Sequence, residues 1–130
     1  MNTKYKQIIK KAYEASKYSY SPYSKFAVGS AVLAGSGKIY LGTNIENVSY
    51  GLTNCAERSA LFNAFSNGEK QVKAIVIWTS LFKVFPCGAC CQVILELAEN
   101  ADIIIKTGKD SFKIFKIKDL LPHSFNRQNL

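Results

Sequence analysis

With 130 residues, 48% of them hydrophobic, the chain carries enough apolar material for one core and too much to stay disordered. No apolar run approaches the length of a membrane span and the opening MNTKYKQIIK is too polar for a targeting core, so neither a membrane nor a secreted protein is expected. The net charge of +8 invites a nucleic-acid partner, but residues 1–25 carry six lysines against Glu14 alone, while residues 26–100 balance five basic with five acidic residues.

The predicted elements follow in chain order. Residues 3–19 place Tyr5, Ile8, Ile9, Ala12, Tyr13 and Ala15 near helical spacing, with lysines opposite, so the basic segment reads as a solvated helix face. Residues 19–23 form a loop. A strand is expected over residues 26–34 and another over 39–42, joined by the turn Gly35-Ser36-Gly37-Lys38 into a hairpin. The polar and aromatic stretch 43–54 suits a substrate loop. A helix over 55–66 ends at Asn67-Gly68, with Asn54 as its expected cap. A buried strand over 72–79 leads through a loop at 81–85 to a second helix, with Pro86 in its first turn, running to about residue 100. Strands over 102–106 and 112–117 and a helical turn over 118–121 complete the domain, which spans residues 1–130 without linker or repeat. The order implies a mixed sheet covered by helices.

The chemistry concentrates in Cys55-Ala56-Glu57 and Pro86-Cys87-Gly88-Ala89-Cys90. Two cysteines separated by two residues can reach one metal from a single helical turn, and 31 residues lie between them and the third, Cys55. The Cys-x-x-Cys pair alone fits a redox pair, half of a structural zinc site or two buried small residues; with Cys55 as a third thiolate on Zn²⁺ the fourth tetrahedral position would stay open to water, and Glu57, two residues from the first ligand, would handle protons. Thiolates at helix N-termini are favoured by the positive end of the helix dipole. Cys91 follows Cys90 directly and would point about 100° away on a helix, so it is assigned to core packing rather than to a fourth ligand. The lone histidine, His123, has no second ligand nearby and reads as a surface residue. Cysteines used as metal ligands fit a reducing compartment, hence a cytoplasmic protein.

Several blocks extend the pattern beyond the metal motif. They are Tyr20-Ser21-Pro22-Tyr23-Ser24-Lys25-Phe26-Ala27-Val28-Gly29, Gly42-Thr43-Asn44-Ile45-Glu46-Asn47, Asn54-Cys55-Ala56-Glu57-Arg58, Pro86-Cys87-Gly88-Ala89-Cys90 and Leu120-Leu121-Pro122-His123-Ser124-Phe125. In this order they resemble the small cytidine deaminases of nucleoside salvage, a group of zinc deaminases that use a metal-bound cysteine set and a nearby glutamate. The resemblance implies a three-layer α/β/α fold with a mixed five-stranded sheet, one Zn²⁺ per subunit and a cytoplasmic homotetramer. It also implies deamination of cytidine and 2′-deoxycytidine in pyrimidine salvage, with no nucleic acid or membrane partner. Under it, Glu57 is the proton shuttle; Cys55, Cys87 and Cys90 bind the metal; and Asn44 and Glu46 bind the ribose hydroxyl groups. Phe26 packs on the pyrimidine, backbone groups near Ala56 hold the base edge, and Tyr50 and Phe125 line a neighbouring subunit's site. Arg58, with help from Gln92, donates to the ligand sulfurs. Cys91 stands where relatives often carry arginine, which removes one positive charge from beside the thiolates. Rival readings are a deaminase of another aminopyrimidine such as blasticidin S, an editing deaminase on RNA or single-stranded DNA, and a non-catalytic zinc-binding module. The ribose-type block disfavours the first, the neutral site region the second and Glu57 the third.

Overall fold

The structure, a computed structural model, describes residues 3–81 and 84–130. Helix α1 (Thr3–Ser16) precedes the hairpin β1 (Val28–Ala34) and β2 (Ile39–Thr43), and a short 3₁₀ turn (Tyr50–Leu52) leads into α2 (Ala56–Ser66). Then come β3 (Val72–Thr79), α3 (Gly88–Leu97), β4 (Asp102–Lys106), β5 (Phe112–Phe115), the single turn α4 (Ile117–Leu120) and a 3₁₀ turn at Arg127–Asn129. The five strands lie in the order β2-β1-β3-β4-β5. Only β3 and β4 pair in parallel, with Ile75 opposite Ile103, and α3 supplies the crossover that a parallel pair requires. The mixed sheet expected from the order of elements is therefore present.

The strand pleat assigns side chains to two cores. Val28 and Val32 of β1, Ile75 and Ile77 of β3, and Ile103 and Ile105 of β4 face α2, α3 and α4. Their alternate neighbours Ala31, Ala74, Val76 and Ile104 face α1. Central strands buried on both faces explain why β3 and β4 read as unbroken apolar runs. On α1 the buried residues Tyr5, Ile8, Ala12 and Ala15 form the stripe predicted from their spacing.

Two glycines set how closely the helices approach the sheet. A Cβ built on Gly42 would lie 2.3 Å from the Ala60 nitrogen and 2.6 Å from the Ala56 carbonyl oxygen, so α2 rests its backbone directly on β2. Gly29 does the same for α1, where a Cβ would meet the Ala12 carbonyl oxygen at 2.0 Å.

Several boundaries differ from expectation. Strand β1 begins at Val28 rather than Phe26, because Asn44 takes over the pairing there: its Oδ1 accepts from the Val28 N–H at 3.0 Å and its Nδ2 donates to the Phe26 carbonyl at 2.6 Å. Helix α1 closes at Ser16, whose hydroxyl donates to the Tyr13 carbonyl at 2.6 Å. Strand β5 ends at Phe115, since the Asp119 carboxylate accepts from the Lys116 N–H at 2.9 Å and starts α4 one residue on. Helix α3 ends at Leu97. Phe82 and Lys83 of the expected loop lie outside the described residues.

Candidate active site and metal centre

Both ligand segments start helices, but the capping residues are the cysteines themselves. Cys55 (φ −80°, ψ 156°) is the N-cap of α2 and Cys87 (φ −68°, ψ 171°) that of α3, and neither side chain makes a capping hydrogen bond. Asn54 and Pro86, the expected starts, each sit one residue outside; Asn54 instead donates to the Ser59 hydroxyl at 3.2 Å. Cys90 occupies the first turn of α3 and is fully buried. Helices α2 and α3 pack against each other, so their N-termini bring the three sulfurs together.

The sulfurs of Cys55, Cys87 and Cys90 all lie within 4.8 Å of one another, with Cys55 and Cys87 3.9 Å apart. Three ligands at a zinc–sulfur distance of about 2.3 Å in a tetrahedron stand about 3.8 Å from each other, so the group fits one zinc ion with one coordination position to spare. Cys91 belongs to the core beneath α3, and its thiol points to the Pro86 carbonyl 3.6 Å away. His123 is exposed.

Charge around the thiols is arranged to hold anions. The Arg58 guanidinium donates to the Cys55 sulfur at 3.4 Å. The Cys55 thiol is pulled down to about 5, first by the hydrogen bond from Cys90 and then by Arg58, against a burial that raises it. The same shared proton, with burial and the neighbouring Glu57 charge, pushes the Cys90 thiol up. The thiolate contact holds Arg58 well above its ordinary range. Two helix N-termini and Arg58 thus oppose the net negative charge that three thiolates carry even with a divalent metal. Arg58 Nε is buried without a partner among the described residues. Gln92, expected at the sulfurs, directs its side-chain amide to the Phe125 carbonyl at 2.8 Å. Two residues beyond Cys90 it stands about 200° around the helix, on the exposed face.

Glu57 lies in the first turn of α2 and is only 4% exposed. Burial is the largest influence on its carboxyl, pushing it up, and the Cys55 charge adds to this. A carboxyl so placed holds a proton more readily than an ordinary one, which suits it to accept a proton and pass it on. Ala56, between Cys55 and Glu57, is fully buried.

The second group of residues surrounds the loop after β2. Asn44 is buried, and besides its bonds to Val28 and Phe26 its Oδ1 accepts from the Ser19 hydroxyl. Glu46 Oε1 accepts from the backbone N–H groups of Tyr23 and Ser24 at 3.0 and 3.1 Å, and its Oε2 accepts from the Ser24 hydroxyl. These bonds, led by Ser24, hold the Glu46 carboxyl below its ordinary range. The backbones of Ile45 and Asn54 exchange two 3.0 Å hydrogen bonds, which tie this loop to the residue before Cys55. A groove of about 410 Å³ opens beside it, lined by Tyr23, Ser24, Glu46, Tyr50 and Thr53. Phe26 is half-buried against the core under α2 and α3. Tyr50 is 74% exposed and meets Tyr23 edge-on at 6.2 Å. Phe125 is 64% exposed. Sequence reasoning missed Tyr23, Ser24 and Thr53 as groove residues, and Ser19 as a partner of Asn44. The signal available for the first two was their place in the same block as Phe26.

A helix-flanked mixed sheet carrying three thiols at two helix N-termini, with a buried carboxylate beside them, defines a zinc-dependent α/β enzyme. The family model "Cytidine and deoxycytidylate deaminase zinc-binding region" matches residues 2–107. A cytidine deaminase of Halalkalibacterium halodurans is 44% identical over 126 residues, covering 95% of each chain, and one of Sporosarcina psychrophila is 42% identical over 95% of this chain and 93% of its own. The crystal structure of a cytidine deaminase from Burkholderia pseudomallei superposes with a TM-score of 0.89 at 37% identity, over 96% of this chain and all of the other. The chain belongs to the cytidine and deoxycytidylate deaminase zinc-binding family. No helix among the described residues is long and apolar enough to cross a membrane.

Proposed function

We propose that the protein deaminates cytidine and 2′-deoxycytidine by hydrolysis, giving the uridine nucleosides and ammonia for pyrimidine salvage in the cytoplasm. The observation that carries this is Glu57, a buried carboxyl two residues from Cys55, which belongs to a three-thiol group that would leave zinc a spare coordination position. A purely structural zinc site has no use for either feature. Zinc held by Cys55, Cys87 and Cys90 would supply Lewis-acid activation of water at the spare position.

The chain's own residues handle protons and position. Glu57 accepts a proton from the attacking water and delivers it to ring nitrogen N3, which makes C4 electrophilic. It then carries a proton to the departing amino group. Its burial and raised affinity for protons suit both directions of transfer. Arg58 stabilises the thiolate of Cys55 and so supports metal retention. Backbone groups near Ala56 and Cys87 hold the base edge, and Phe26 packs on the ring. Asn44 and Glu46 bind the sugar hydroxyl groups with the capacity their internal bonds leave: a second proton on Asn44 Nδ2 and further lone pairs on the Glu46 carboxylate.

Tyr50 and Phe125, with Val48 and Leu52, are large exposed apolar residues, which supports their burial against other copies in a homotetramer. In that assembly both rings complete a neighbour's site. The ultraviolet change of cytidine incubated with zinc-loaded protein tests the reaction; absence of conversion with zinc bound would reject it. Mixed oligomers of Glu57→Gln and Phe125→Ala subunits test the sharing of sites. Activity above that of either parent is expected, and none would assign Phe125 to its own subunit or to no site.

A further inference from the structure

We infer that Gln92 and Glu96 are positioning residues that register the C-terminal segment on α3 and thereby set where Phe125 is presented. The inference rests on the reading that Phe125 serves a nucleoside site. Gln92 and Glu96 are one helical turn apart and share the exposed face of the helix that Cys87 caps and whose first turn carries Cys90. Gln92 Nε2 donates to the Phe125 carbonyl at 2.8 Å. Two residues on, the Arg127 guanidinium meets Glu96 Oε2 at 3.1 Å. The two contacts therefore bracket Phe125 and Arg127 on adjacent turns of one rigid element.

The segment between and after them is stiffened from within. The Asn126 side chain accepts from the Gln128 N–H at 3.0 Å and donates to the Ser124 hydroxyl at 3.2 Å, while Asn129 Oδ1 accepts from the Asn126 N–H at 2.9 Å. A segment with so little regular structure is poorly ordered unless something ties it down. Here the tie reaches the backbone of residue 125 and leaves its ring exposed. Such an arrangement fixes the origin of an aromatic side chain while keeping the side chain available to another surface. Because α3 also holds two of the three thiols, the ring's starting point is referred to the metal-binding helix itself.

The ion pair is solvent-exposed, with side chains 72% and 59% accessible, so its effect is modest: about a fivefold change at most. The test is steady-state kinetics on cytidine with the zinc-loaded oligomers of Glu96→Arg, Arg127→Glu, the double charge swap, Gln92→Leu, Phe125→Ala and Glu96→Arg combined with Phe125→Ala. Either charge reversal and Gln92→Leu are expected to raise KM by about two- to fivefold, with kcat and the thermal midpoint near wild type. The double swap restores KM, and Glu96→Arg adds nothing once Phe125 is alanine. A double swap that fails to restore KM, or a Glu96→Arg effect that adds in full to that of Phe125→Ala, would overturn the positioning role alone. Wild-type KM in Phe125→Ala would overturn the reading beneath it as well.

Discussion

Gly42→Ala is the substitution that most directly tests how the fold positions the site. The added Cβ would lie 2.3 Å from the Ala60 nitrogen, 2.6 Å from the Ala56 carbonyl oxygen and 2.9 Å from the Ala60 Cα, all of them backbone atoms that no rotamer change can move away. Ordinary contact begins near 3.4 Å, so strand and helix must separate by about 1 Å. Helix α2 carries Cys55 at its cap and Glu57 in its first turn, and β2 leads directly to Asn44. Catalytic constellations tolerate about 0.5 Å of displacement, and a 1 Å misplacement costs about 10²-fold in rate. Overpacking of this kind also costs about 1–3 kcal/mol of stability. Gly37→Ala is the matched control: its φ of 93° makes alanine strained by about 1 kcal/mol, yet open space surrounds it at the hairpin turn. The assay is kcat and KM for cytidine alongside thermal midpoints of both variants. Both proteins should lose stability, and only Gly42→Ala should lose activity, by about 10²-fold. If α2 yields, the loss appears in kcat. If the edge strand β2 yields, Asn44 and Glu46 move and the loss appears in KM. A Gly42→Ala enzyme with wild-type kcat and KM would refute the claim that the backbone contact between β2 and α2 sets the site.

Three further outcomes follow from individual contacts. Glu57→Gln should retain zinc by metal analysis and lose turnover by about 10²–10⁴-fold; near-normal turnover would remove Glu57 from proton transfer. Arg58→Ala should release zinc to a competing chelator at about 10- to 100-fold lower chelator concentration, because the Cys55 thiolate loses its guanidinium donor; unchanged retention would reject that role. Tyr5, whose hydroxyl donates to Asp102, has its phenol pushed up to about 12 by burial and then by that carboxylate. A folded value above the unfolded one gives stability that is complete below the unfolded value of about 10 and is lost as the pH rises through about 12. Denaturant unfolding of wild type and Tyr5→Phe should therefore differ by a constant amount below pH 10 and converge above it; a gap that widens with pH would contradict the assignment.

What the sequence made legible was whatever rests on local pattern. The stripe of Tyr5, Ile8, Ala12 and Ala15 predicts α1, and the apolar runs of β3 and β4 predict strands, because burial periodicity is written residue by residue. The thiol group was legible for a related reason: ligand spacing within one helical turn is a local property, and Cys55 could be paired with it through the chemistry of a three-ligand site. The errors fall where a distant side chain replaces a local partner. Periodicity extends β1 back to Phe26, but the amide of Asn44 takes the carbonyl and N–H that β2 would otherwise pair. Propensity puts the cap at Asn54 and a first-turn residue at Pro86, yet cysteines hold both N-cap positions, with sulfurs that meet each other and the Arg58 guanidinium instead of capping backbone N–H groups. Capping statistics describe helices that satisfy themselves; these two start where the sulfurs must meet. Gln92 illustrates the opposite case. Its position 200° around α3 from Cys90 was computable from helical geometry alone, and that geometry excludes it from the sulfurs. What it does contact, a carbonyl 33 residues away, depends on the path of the tail across α3, which no local pattern records.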